Sequence, residues 1–285
     1  MKINKAVITA AGLGTRLLPV TKEQVKEMLP IFTSNIDGGV CVKPLLQFVF
    51  EQLHDFGIRD VCFIVGRGKR VIEDHFTPDD DLLKLLETDG KTNLSDGLKL
   101  FYSTLEDVDI TWKSQLRPKG FGDAVYRAKS FVQSDNFLLF AGDVCIVSKN
   151  NNFLKRLVET HNRFNAAATV VVERVPDPER HGVIVGKEIE RGVYKVSRII
   201  EKPKNPESNL AAAAVYIFNP VIFKALEQTD YNKKGEKELT DAIQLLIDWG
   251  LDVYAEELGP DEIRLDIGTP EAYKLALHKS YEILL

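Results

Sequence analysis

Two glycines and two cations stand close together near the start of the chain, and their types suit one chemistry. Gly12-Leu13-Gly14-Thr15-Arg16 is followed, ten residues after Arg16, by Lys26. Backbone N–H groups approach an anion closely only where no Cβ intervenes, and fixed cations neutralise what is held. The cluster therefore reads as a place to hold phosphates. It matches neither common phosphate loop: Leu17 stands where GxGxxG needs its third glycine, and no GK[ST] follows.

The elements that must position this loop are legible from apolar runs. Residues 6–11 (AVITAA) read as a buried strand that empties into the glycine turn. Helical spacing with a glycine stop predicts a helix over 44–57, a second apolar strand over 60–65 and a short helix over 70–76. Strands apolar on both faces and alternating with helices predict an α/β fold, with a mainly parallel sheet flanked by helices. Residues 77–111 interrupt the pattern with Asp79-Asp80-Asp81 and two helical runs, and read as a helical insertion with a solvated acidic face. The sheet pattern resumes at 110–113, with a helix near 124–131 and a strand at 136–140 ending in Ala141-Gly142-Asp143. A helix over 153–164 and a strand over 167–174 lead into a mixed β region at 182–185, 192–200 and 211–218. Helices over 221–226 and 239–249, strands over 253–256 and 264–267, and a helix over 270–284 complete the chain. The helix over 239–249 is expected to serve packing.

Composition narrows the class. With 285 residues, 44% of them apolar, the chain can bury a substantial core. A net charge of −5 argues against general nucleic-acid binding, which needs a basic surface, but leaves small anionic substrates open. Cys41, Cys62 and Cys145 are far apart and lack CxxC spacing, so free thiols in a reducing compartment are expected. No stretch reaches the roughly 18 apolar residues of a membrane span, and a soluble, cytoplasmic protein without membrane partners is expected.

The segment GLGTRLLPVTKEQVKEMLP resembles the N-terminal signature of sugar-1-phosphate nucleotidyltransferases. Within them it is most similar to the bacterial-type UTP–glucose-1-phosphate uridylyltransferases. Further matches follow in the family's order: Lys119-Gly120-Phe121-Gly122-Asp123-Ala124, Gly142-Asp143, His181-Gly182-Val183 and Glu201-Lys202-Pro203. Ser208-Asn209-Leu210-Ala211, Glu238-Leu239-Thr240-Asp241-Ala242 and Asp266-Ile267-Gly268-Thr269 extend the resemblance over nearly the whole chain.

The resemblance implies the Rossmann-like sheet of a nucleotide-diphospho-sugar transferase in a single domain, with a nucleotide half at 1–150 and a sugar-phosphate half at 151–285. It implies transfer of a uridylyl group from UTP to glucose 1-phosphate by a homodimer or homotetramer. It assigns Ala11, Gly12, Gly14, Thr15, Arg16, Lys26, Gln115 and Gly120 to the nucleotide, with Gln115 at the uracil. Gly142, Gly182, Glu201 and Lys202 fall to the sugar phosphate, and Asp143 and Asp266 to Mg²⁺. Two carboxylates with phosphate oxygens and water suit that ion's octahedral demand. Arg16, Lys26, Asp143 and Lys202 are the implied catalytic set. Side chains alternate along a strand, so Glu201 and Lys202 enter one site only if the turn at Pro203 reorients one of them.

Two features depart from the uridylyltransferase pattern. Gly142-Asp143 is closer to the thymidylyltransferase relatives than the common Pro-Asp, and Ala212-Ala213-Ala214 lacks a glycine often found near the sugar pocket. Relatives using dTTP, CTP or ATP, and a non-catalytic nucleotide-sugar sensor, therefore stand as alternatives. A Rossmann dehydrogenase is disfavoured by the missing third glycine.

Overall fold

The apolar run after Asn4 becomes β1 (Lys5–Ala10), whose last five residues are all buried, in a computed structural model that describes residues 3–284. Three 3-10 turns follow, at Thr15–Leu17, Val20–Lys22 and Lys26–Met28, and lead into the hairpin β2 (Pro30–Ser34) and β3 (Val40–Pro44). Next come α1 (Leu45–Phe56), β4 (Asp60–Gly66) and α2 (Arg70–His75). The insertion holds α3 (Asp80–Thr88) and α4 (Thr92–Glu106). Its acidic run has a local function: the Asp79 side chain accepts from Leu82 N as the N-cap, and Asp80 and Asp81 sit in the first turn, where the helix dipole favours negative charge.

Then follow β5 (Asp109–Gln115), α5 (Phe121–Tyr126), α6 (Lys129–Val132), β6 (Phe137–Ala141) and β7 (Val144–Val147). The second half holds α7 (Asn152–Arg163), β8 (Ala168–Arg174), β9 (Gly182–Glu190), β10 (Val193–Glu201) and β11 (Leu210–Phe218). It ends with α8 (Val221–Gln228), α9 (Leu239–Asp248), β12 (Val253–Glu257), β13 (Ile263–Asp266) and α10 (Pro270–Glu282).

One nine-stranded sheet runs in the order β5-β4-β1-β6-β11-β8-β12-β10-β9. Only β10 and β11 oppose the common direction, so the expected mainly parallel sheet forms. Its β5-β4-β1-β6 side is wholly parallel, and β11 joins β6 antiparallel. Two apolar cores cover the two faces, one around Phe50, Phe63 and Phe140 and the other around Phe137, Phe218 and Phe223. The helix expected over 124–131 is two short helices, and the hairpin β2–β3 and strand β7 are additions to the sequence reading. Among the described residues, no helix is long and apolar enough to cross a membrane.

Candidate active site

Open α/β sheets bind ligands outside the carboxyl ends of their strands, where connections leave in opposite directions. Here β1 connects outward to β4 while β6 lies on its other side, and a cleft of about 610 Å³ opens there. It is lined by Ala11, Gly12, Thr15, Arg16, Lys26, Gln115, Gly120, Asp143, Gly182, Glu201, Lys202 and Asp266. Residues from 11 to 266 thus meet around one space.

The first wall is the turn after β1. Gly14, with φ of 66°, bends the chain, and its carbonyl is held by Thr21 Oγ1 at 2.7 Å. A Cβ on Gly12 would touch Lys26 Cε at 3.4 Å, so glycine leaves room for that lysine. Arg16 is exposed and makes no hydrogen bond or ion pair among the described residues, which leaves a whole guanidinium for an anion. It lies close to Gly268, where an added Cβ would come 3.1 Å from Arg16 Nη2.

Lys26 and Asp143 form an ion pair at the centre. Burial works against each charge, but each partner outweighs it: the Asp143 carboxyl is held below its ordinary value and the Lys26 ammonium above its own. Asp266 enters beside Asp143 because β13 pairs with β7 and Ile267 N donates to Asp143 O at 3.2 Å. Gly268 N donates to Asp266 Oδ1 at 2.6 Å, and Arg264 Nη2 donates to Oδ2 at 3.2 Å. Asp143 and Asp266 are two hard-oxygen carboxylates lining one cleft beside Lys26, a donor set whose chemistry fits Mg²⁺.

On the opposite wall, β10 ends at Glu201 and Lys202 turns to φ of 45°, its N–H donating to His181 O at 2.9 Å. That left-handed step breaks the strand's alternation, and both side chains enter the cleft as an ion pair. Glu201 Oε2 also accepts from Thr240 Oγ1 at 3.3 Å. Gly182 is glycine because a Cβ would lie 2.9 Å from Thr240 Cγ2 and 3.3 Å from Glu201 Oε2.

At the other end Gln115 closes β5, only 4% exposed. Its Nε2 donates to Gly120 O at 3.1 Å and to Asp123 Oδ2 at 2.8 Å. Both amide hydrogens are thereby used, which leaves Oε1 as an acceptor; this network fixes the amide's orientation.

Gly14 and Gly142 are not among the lining residues. Gly14 serves the turn, and a Cβ on Gly142 would meet Thr9 O at 2.8 Å and Leu46 Cδ1 at 3.1 Å, so close packing of β6 explains it. The cleft also includes residues to which no role was assigned from sequence: Glu27, His181, Glu238, Thr240 and Arg264. Arg264 lies two residues before Asp266 on one strand, a spacing that puts both on one face. The helix expected to serve packing does so through Leu239, Ala242, Ile243 and Leu246, but its first turn also brings Leu239 and Thr240 to the cleft. Burial and the negative charge of Glu201 push the Glu238 carboxyl above its ordinary range.

A mainly parallel sheet whose switch point joins a glycine-rich turn to a wall of carboxylates and lysines is the architecture of the nucleotide-diphospho-sugar transferases. Residues 5–282 match the nucleotidyl transferase family, and the chain belongs to it. It is 39% identical to the UTP–glucose-1-phosphate uridylyltransferase of Bacillus subtilis, over 86% of this chain and 80% of that one. The enzyme of the same name from Pseudomonas aeruginosa is 32% identical, over 99% of this chain and 97% of its own. A UDP-glucose pyrophosphorylase solved with UDP-glucose superposes with a TM-score of 0.83 at 30% identity, covering 99% of this chain and all of the other.

Proposed function

We propose that this cleft transfers the uridylyl group of UTP to glucose 1-phosphate, giving UDP-glucose and pyrophosphate. The observation that carries the reading is the meeting of Arg16, unpaired among the described residues, the Lys26–Asp143 pair, Asp266 and the Glu201–Lys202 pair around one space. The names of the relatives supply the substrates.

A phosphate oxygen of glucose 1-phosphate attacks the α-phosphorus in line. The bond from that phosphorus to the oxygen bridging the β-phosphate breaks, and pyrophosphate leaves with the electron pair. The attacking oxygen is already anionic, so no general base is needed. The obstacle is repulsion: at 4 Å and an effective dielectric near 20, each pair of unit charges costs about 4 kcal/mol. Lys202 neutralises the attacking phosphate, Lys26 the transferring group and Arg16 the leaving group. Glu201 accepts from sugar hydroxyls. Asp143 and Asp266 would hold Mg²⁺, which supplies positive charge at the phosphates. Gln115 Oε1 accepts from the ring N–H of uracil, which the unprotonated ring nitrogen of cytosine cannot offer.

The two halves of the chain act as one catalytic domain. The working form is a cytoplasmic homodimer or homotetramer, as the family resemblance implies, and sedimentation velocity reads its size. The decisive experiment is pyrophosphate release from UTP, dTTP, CTP and ATP against a set of sugar 1-phosphates. Fastest release is expected with UTP and glucose 1-phosphate, lost on chelation and restored by Mg²⁺. Binding without release for every pair would instead make the chain a nucleotide-sugar sensor.

A further inference from the structure

At the wall of the cleft lies a further ion pair that the reaction above does not use. Lys69 Nζ sits 2.8 Å from Glu27 Oε2, with side chains only 9% and 1% exposed. Lys69 comes from the turn between β4 and α2, and Glu27 follows Lys26 in the same 3-10 turn. Among the described residues, Lys69 is the only hydrogen-bond partner of the Glu27 carboxylate. Burial draws the Lys69 ammonium below its ordinary value, so this pairing is held against desolvation. Lys26 meanwhile feels both carboxylates, Asp143 directly and Glu27 through space.

We infer that Lys69 is a positioning residue for catalysis: by occupying Glu27, it keeps that carboxylate from capturing Lys26, which stays free for Asp143 and the phosphates. This rests on Lys26 acting on the transferring group, as proposed above. A buried carboxylate stripped of its cation is left uncompensated, and Lys26, which lines the same cleft and already interacts with Glu27 through space, is a cation it can turn to. Its capture would withdraw a charge needed in the transition state, leaving sugar binding untouched. The effect therefore falls on kcat and not on the KM for glucose 1-phosphate.

The test uses the full chain in steady-state pyrophosphate release with UTP, glucose 1-phosphate and Mg²⁺. Lys69→Met is expected to lower kcat by about 10- to 100-fold, the range seen when a partner behind a site's working residues is lost. Glu27→Gln/Lys69→Met, which has no carboxylate left to compete, should return kcat to within about threefold of the starting enzyme. In a Lys26→Met background, Lys69→Met should lower the melting temperature but not kcat any further. Lys69→Arg keeps the pair and its activity, and it serves with the double variant if Lys69→Met fails to fold. Wild-type kcat in folded Lys69→Met, or a double variant as slow as the single one, overturns the inference. A Lys26→Met enzyme that keeps its kcat would instead overturn the role given to Lys26.

Discussion

Gly120 sits where two segments of the cleft wall cross, and replacing it by alanine tests why glycine stands there. Its φ of 97° and ψ of 168° lie in a region essentially restricted to glycine, where a side chain costs about 1–3 kcal/mol. A Cβ would also lie 2.5 Å from Lys237 O and 2.6 Å from Lys237 N, backbone atoms that cannot swing aside. Overpacking of this kind costs a further 1–3 kcal/mol or so. Moving residue 237 away loosens Gly122 N→Lys237 O at 2.8 Å and Lys237 N→Lys119 O at 2.7 Å, each worth about 1 kcal/mol. A loss of about 4–8 kcal/mol follows, and at roughly 2–4 °C per kcal/mol the melting temperature falls by at least about 10 °C. The displaced segment carries Glu236 and Glu238 into the cleft, so the KM for glucose 1-phosphate should rise as well. Gly235→Ala is the control: its φ is 75°, but among the described residues nothing lies within 4 Å of its added Cβ, so it should lose only about 1 kcal/mol. Thermal melts followed by circular dichroism, with steady-state kinetics, read both. If the two variants melt within about 2 °C of each other, roughly the shift of 1 kcal/mol, the crossing does not constrain Gly120 and the reasoning fails.

Asp143→Asn should lower kcat by orders of magnitude while nucleotide binding, read by calorimetry, stays largely intact; full Mg²⁺-dependent turnover would remove Asp143 from the metal site. The same variant has a pH signature, because the Asp143 carboxyl is held below 3.8 and the Lys26 ammonium above 10.5. The pair's stability is complete above the first value and lost as pH falls through the lower folded one. On the alkaline side it is complete below the second value and lost as pH rises through the higher folded one. Urea melts should thus show a wild-type advantage that is flat between those values and shrinks beyond both. Gln115→Ala should reduce the preference for UTP over CTP by about tenfold, the worth of one hydrogen bond, and an unchanged ratio of kcat/KM would take Gln115 out of the base pocket. Ala214 has φ of 58° in the bulge of β11, so Ala214→Gly should gain up to about 1 kcal/mol and raise the melting temperature by about 2–3 °C. A lower melting temperature would mean that the methyl's contacts outweigh its strain.

Much of this architecture could be read directly from apolar runs. Strands such as β4 and β6 are buried along almost their whole length, and sequences of that kind announce themselves. The hairpin β2–β3 does not, because Ile31 is its one fully buried strand residue and its turn rests on Asn35 Oδ1 accepting from Gly39 N at 2.7 Å. In the cleft, Arg16, Lys26, Asp143, Glu201, Lys202 and Asp266 were legible because each falls in a recognisable motif, whereas Glu238 and Arg264 were not. The left-handed turn at Lys202 was not, since no local propensity of lysine asks for it; the His181 carbonyl holds it in place. Nor was the Glu27–Lys69 pair, because both residues lie in charged stretches that read as surface until β4 and the Lys26 turn are brought together. Gly120 was read as a nucleotide contact, and although it lines the cleft, the close approach of residue 237 is reason enough for a glycine there.

The antiparallel joint between β6 and β11 makes one ruler of the whole sheet. Val215 pairs with Phe140 and Phe218 with Phe137, so the wall bearing Glu201 and Lys202 is linked to the wall bearing Asp143 through strands laid edge to edge. Neighbouring strands are spaced by their hydrogen bonds at about 4.8 Å and cannot be drawn together or apart. The span between nucleotide and sugar phosphate is then set by the count of strands between their anchors. Any tightening around the reacting phosphates is left to loops and side chains, and a slip of register at this joint would displace one substrate against the other by a whole residue.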